Sequence, residues 1–140
     1  MVEFTRKLAG PDHAVDTVEG TPFRYMRKPC QECPWRLDSR IGEFPTEAYR
    51  ISANTAEDMA SHTFACHMAG KEHGSTCAGF LLRNADSNLS VRLAMFRGDY
   101  DPRKINDGGA ELFESYRAMA EANGVSADDP ALAKCRSNND

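Results

Sequence analysis

The sequence predicts a small, mainly α-helical single domain of short helices packed around a cysteine-rich metal site. Three observations point there. Apolar residues recur at helical spacing in several short stretches. Proline, glycine and capping residues punctuate those stretches often, so each helix is short. Four of the five cysteines, Cys30, Cys33, Cys66 and Cys77, fall in one central region. The chain has 140 residues, of which 41% are hydrophobic and 27% charged. Such a length suits one domain with a modest core, so a metal would add to the core rather than replace it.

Residues 1–27 read as an irregular or short-strand N-terminal segment. Gly10-Pro11 and Gly20-Thr21-Pro22 are turn signals, and Phe23 to Lys28 suits a short strand. Residues 28–98 form the cysteine-rich core. Pro29 and Pro34 stiffen the Cys30-Gln31-Glu32-Cys33 knuckle. Pro45 suits a first helical position, with Phe44, Ala48, Tyr49 and Ile51 as the apolar face. Thr55 and Asp58 look like a cap and its N3 carboxylate, opening a second short helix through Met59. Ser75 or Thr76 can cap a helix carrying Cys77, Phe80 and Leu81, and 84–88 reads as a turn. Leu89, Arg92, Leu93 and Phe96 repeat at i, i+3, i+4, i+7, and Gly98 is a natural stop. Residues 107–135 hold the C-terminal helices. Leu112, Tyr116, Met119 and Ala120 form a stripe ended by Gly124, and Asp129-Pro130 opens a last turn. The tail, 136–140, reads as disordered.

Composition limits function. The net charge is -4 and the pI about 5.6, against strong sequence-independent binding of nucleic acid by the whole surface. No apolar run reaches membrane-spanning length, and no apolar segment follows the first residues, so a membrane role and a secretory signal are not expected. The expected location is the cytoplasm. In that reducing compartment spaced cysteines act as metal ligands or redox groups more often than as structural disulfides.

A C-x-x-C turn aims two thiolates at one tetrahedral centre. Cys66 and Cys77 are the obvious remaining pair, and Cys77 near a helix start is placed where a thiolate forms more easily. Zinc is the expected metal. His62 lies four residues before Cys66 and His73 four before Cys77, so mixed coordination is an alternative. His67, beside Cys66, is an alternative ligand or a group that orients one. A [4Fe-4S] cluster is the other candidate, since cluster cysteines often come at wide, uneven spacings with proline after a ligand. Cys135 lies apart and reads as a buried small hydrophobe or an indifferent surface thiol.

Lys28-Pro29-Cys30-x-x-Cys33-Pro34-Trp35-Arg36, then Phe64-Ala65-Cys66-His67, then Cys77-Ala78-Gly79-Phe80, resembles an uncharacterised family of small four-cysteine proteins of bacteriophages and actinobacteria. The resemblance covers about residues 28–98. It implies Cys30, Cys33, Cys66 and Cys77 as shared cysteines, with His67 part of the pattern, and implies no established activity. The actinobacterial iron–sulfur transcription factors are a poorer comparison, because the chain lacks a Gly-Val-Trp-Gly-Gly turn and a basic tail.

Catalytic sets are scarce. Adjacent Cys66 and His67 rarely aim at each other, which weakens a thiol–imidazole dyad. A redox dithiol at Cys30 and Cys33 needs a helix starting on the first cysteine, and Pro34 breaks that pattern. The Asp99-Tyr100-Asp101 run fails as a calcium loop at Arg103, and phosphate- and dinucleotide-binding glycine motifs are missing. Arg24, Arg27, Lys28, Arg36 and Arg40 surround the knuckle with Trp35 among them. Basic residues mixed with aromatics suit a nucleic-acid strand, although Glu32, Asp38, Glu43 and Glu47 dilute the patch. The expectation is therefore a non-enzymatic zinc module contacting a protein or nucleic-acid partner, with an iron–sulfur redox or sensing protein, or a subunit of a larger enzyme, as the alternative.

Overall fold

A computed structural model describes residues 2–10, 13–20, 23–31, 33–65 and 75–135. The N-terminal segment is not irregular. Strands β1 (Val2–Gly10) and β2 (His13–Gly20) form an antiparallel hairpin, with Thr5 opposite Thr17 and a register shift between Leu8 and Gly10. The short β3 (Thr63–Phe64) extends the sheet in the order β1-β2-β3, with Thr17 opposite Phe64. The stretch from Phe23 makes one bridge, Tyr25 to Thr76, in place of a strand.

Among the described residues four short helices supply less than half of the buried apolar core, and turns and loops supply the rest. Helix α1 (Thr46–Ser52) starts after Pro45, runs on into a 3-10 turn at Ala53–Thr55, and lies against both strands of the hairpin. The expected helix from Thr55 to Met59 does not form. Met59 adopts a left-handed backbone, φ 61°, and its amide donates to Ser87 O at 2.7 Å, which turns the chain away. Helix α2 (Ala78–Asn84) begins one residue later than expected, with Cys77 itself at the N-cap. The Thr76 hydroxyl is instead 2.8 Å from that of Thr63, deep in the protein.

Helix α3 (Leu89–Arg97) starts at Asn88, whose Oδ1 accepts the Val91 amide, and stops at left-handed Gly98. Its buried side is the small one. Val91 and Ala94 are fully buried, while Leu93 and Phe96, expected to face inward, are 47% and 91% exposed. Helix α4 (Tyr116–Ala122) is capped by the Ser115 hydroxyl and is shorter than its apolar stripe suggests. Leu112 is buried but non-helical, because its stretch pairs with the segment after the knuckle: Arg36 bridges Leu112, and the Phe113 amide donates to Trp35 O at 2.9 Å. The expected last turn forms at Pro130–Leu132, capped by Asp129. The tail at 136–140 lies outside the described residues.

One apolar cluster joins these pieces. Trp35, Phe80, Val91, Tyr116, Met119 and Leu132 are its most buried large members. Trp35 sits among aromatic neighbours, edge-on to Phe64, Phe80 and Tyr116 with ring centres 5.8–6.2 Å apart. The Tyr116 hydroxyl donates to Tyr49 O at 2.6 Å, tying α4 to α1. No helix among the described residues is long and apolar enough to cross a membrane.

Candidate cysteine centre

Two consecutive tight turns make the knuckle. The Cys33 amide donates to Cys30 O at 3.2 Å, and the Arg36 amide donates to Cys33 O at 3.1 Å. Pro29 and Pro34, both buried, restrict the backbone on either side. The turns drop Cys33 and Trp35 into the core with no exposed surface. Cys30 stays partly exposed.

Cys77 reaches the same place from the other side. Thr76 is its anchor, bridging Tyr25 on one flank and Ala65 on the other. Its amide donates to Arg24 O at 2.8 Å and its carbonyl accepts from Met26. The Cys77 amide then donates to Phe64 O at 2.8 Å. With the backbone so held, the Cys77 sulfur lies 3.4 Å from that of Cys33, in the interior and 44 residues away in sequence. A disulfide needs about 2.05 Å, so this is contact without a bond.

Glycine makes the approach possible. A Cβ on Gly79, in the first turn of α2, would stand 2.7 Å from Trp35 Cβ and 3.1 Å from Cys33 Sγ. Only a residue without a side chain lets the helix start lie directly on the knuckle. In the sequence Gly79 stands out only as part of the Cys77-Ala78-Gly79-Phe80 motif; a glycine inside a helical pattern is the signal of such close packing.

The thiols act on one another. A hydrogen bond from Cys30 favours ionisation of Cys33, but Cys77 and burial oppose it and hold the Cys33 thiol well above its ordinary range. Cys30, Cys33, Cys77 and Cys135 are all outside disulfides. Cys135 makes a different contact. It is buried beside Ala53, whose carbonyl its sulfur meets at 3.6 Å, and burial pushes its thiol up to about 11.

Of the expected ligands, Cys33 meets Cys77 at 3.4 Å, and Cys30 lies three residues from Cys33 across the turn that the Cys33 amide closes. Cys66, His67 and His73 lie outside the described residues. The last described residue before them, Ala65, is bridged to Thr76, next to Cys77. His62 is described; Asn88 Nδ2 donates to its carbonyl at 2.8 Å, and its Nδ1 is buried with no hydrogen-bond partner among the described residues. Among the described residues no three histidine, cysteine or acidic side chains form a group that could hold a metal ion.

A model of a protein family of unknown function, DUF6283, matches residues 25–136.

The chain belongs to this family.

All five cysteines fall within the DUF6283 match, and the β1–β2 hairpin falls before it. No curated protein and no solved structure matches the chain.

The expected contact patch needs one correction. Trp35 is fully buried under the knuckle, so it presents no face to a partner. Arg24, Arg27, Lys28 and Arg40 are exposed. Arg36 is engaged by its neighbour, with Nε and Nη2 donating to the two carboxylate oxygens of Asp38 at 2.8 and 2.7 Å.

Proposed function

We propose that this DUF6283 protein is a small metal-binding module in which Cys30, Cys33, Cys66 and Cys77 hold one zinc ion. The observation that carries this reading is the 3.4 Å contact of the Cys33 and Cys77 sulfurs. Tetrahedral zinc with bonds of about 2.3 Å sets its sulfurs about 3.8 Å apart, within a few tenths of an ångström of that distance. In a [4Fe-4S] cluster each thiolate binds its own iron, so two ligands do not sit in contact; the spacing favours a single ion. Cys66 completes the set because the chain reaches it directly from Ala65, which is bridged beside Cys77. Thiolates brought together in an apolar interior repel one another, and a bound cation removes that cost.

The role that suits such a centre is scaffold for a binding or regulatory surface in a phage or bacterial protein. Arg24, Arg27, Lys28 and Arg40 lie around the knuckle and supply the cationic part of a surface for a protein or nucleic-acid partner. The test is metal analysis of protein purified without oxygen. One equivalent of zinc is expected, lost with much of the fold in Cys77→Ser, because binding a structural metal is folding free energy. A brown, iron-containing protein would replace zinc by the cluster. A folded, metal-free protein would overturn both.

A further inference from the structure

The three described cysteines of the centre differ in access. Cys30 is partly exposed, Cys33 is fully buried, and Cys77 is 3% exposed. Cys33 lies between the others: the turn closed by its amide on Cys30 O at 3.2 Å sets it three residues from Cys30, and its sulfur is 3.4 Å from that of Cys77. A line of sulfurs therefore runs from the surface into the core with Cys33 in the middle. We infer that the centre is an oxidation switch, entered at Cys30 and ending in a Cys33–Cys77 disulfide.

The oxidant is a small peroxide, and hydrogen peroxide serves as the probe. The Cys30 thiolate attacks the O–O bond; its sulfur keeps one hydroxyl as a sulfenic acid, and the other leaves as hydroxide and becomes water. Cys33 attacks the Cys30 sulfur as its thiol proton passes to the departing hydroxide, giving a Cys30–Cys33 disulfide and a second water. The Cys77 thiolate then attacks the Cys33 sulfur, and Cys30 leaves as a thiolate that takes up a proton. Two thiols and one peroxide give one disulfide and two waters. The final bond needs the two sulfurs to close by about 1.4 Å, within reach of small side-chain rotations. It lies in the core against Trp35 and Gly79, whereas a Cys30–Cys33 bond stays open at the surface to the next thiol. For its consequence the inference rests on the metal reading: the disulfide takes two ligands, and the ion leaves.

The experiment uses the full reduced chain, with its metal content measured first. One equivalent of hydrogen peroxide is added, remaining thiols are alkylated, and the protein is cleaved after glutamate. That cleavage puts Cys30, Cys33, Cys66 and Cys77 on separate peptides, because Glu19, Glu32, Glu43, Glu57, Glu72 and Glu111 flank them. The expected product is the Cys33 peptide joined to the Cys77 peptide, with Cys30 alkylated and one ion released per cross-link. Cys30→Ser should slow the cross-link by on the order of tenfold, as the exposed entry thiol is gone. A final Cys30–Cys33 bond, a Cys66–Cys77 bond, or no cross-link overturns the inference, and the wild-type map decides it even if the variant misfolds. A cross-link in protein that held no metal keeps the inference and overturns the metal reading. Metal-loaded protein that forms no such cross-link does the reverse.

Discussion

Gly79 is the residue on which the centre's geometry turns. Its missing side chain leaves room for Trp35 and Cys33, and the nearest clashing atom is Trp35 Cβ, which cannot swing aside as a side-chain tip would. Gly79→Ala should therefore destabilise the protein by about 1–3 kcal/mol as the helix start is pushed off the knuckle. In an exposed helix the same change would stabilise, so the sign of the shift in the urea midpoint is the check. Trp35 shows where residue-level reading stops. Arg24, Arg27, Lys28, Arg36 and Arg40 around it suggest a basic, aromatic surface, yet the turn at 33–36 points the indole inward. Local sequence gives residue types and spacing. The side of the turn on which a ring lies depends on partners such as Phe80 and Tyr116, far along the chain.

Among the elements, α3 is the one whose ends were best marked in the sequence and whose face was not. Asn88 before an apolar run and Gly98 after it set both limits. Between them Leu89, Val91, Leu93, Ala94, Met95 and Phe96 leave almost no polar side, so periodicity cannot choose the buried stripe. The core accepts the narrow face, Val91 and Ala94, because the loop from Ala60 packs closely over the helix start. Asn88 ties that loop down. Its Oδ1 caps α3, while its Nδ2 donates to His62 O at 2.8 Å and to Thr55 O at 3.4 Å. Asn88→Ala should cost about 3 kcal/mol, roughly 1 from the cap and the rest from carbonyls left buried without a donor. Thermal unfolding checks this, and a loss below 1 kcal/mol would mean that the loop is held by other means. Helix α4 carries a related lesson. Leu112 fits its stripe, but pairing with the stretch after the knuckle draws residues 111–113 out of the helix, a contact that helical spacing cannot announce.

For the whole molecule, the mainly helical character was legible from short punctuated stripes, and the nearness of Cys33 to Cys77 from the run of cysteines in the central region. The hairpin was not, although Gly10-Pro11 marked its turn, because neither arm alternates cleanly between apolar and polar residues. That hairpin adds to β3 from outside the DUF6283 match, while Thr76 and Tyr25 hold the region of β3 from within it. Removing residues 1–22 should lower the melting temperature, since α1 loses the strands it lies against, yet leave the Cys33–Cys77 contact in place. Metal content and circular dichroism of the shortened chain are the measurements; loss of all helical signal would show that the hairpin is part of the folding core.

The contact of Cys33 with Cys77 also has a meaning for the unfolded chain. A link there, through an ion or through a disulfide, ties two points 44 residues apart. By loop-closure reckoning, a cross-link of that span removes conformational entropy from the denatured ensemble worth about 4 kcal/mol at room temperature. The ring so formed encloses α1 and β3. Exchanging an ion for a disulfide at the same two sulfurs would leave that tether intact, so oxidation would alter the chemistry of the centre while the chain kept its memory of where to refold.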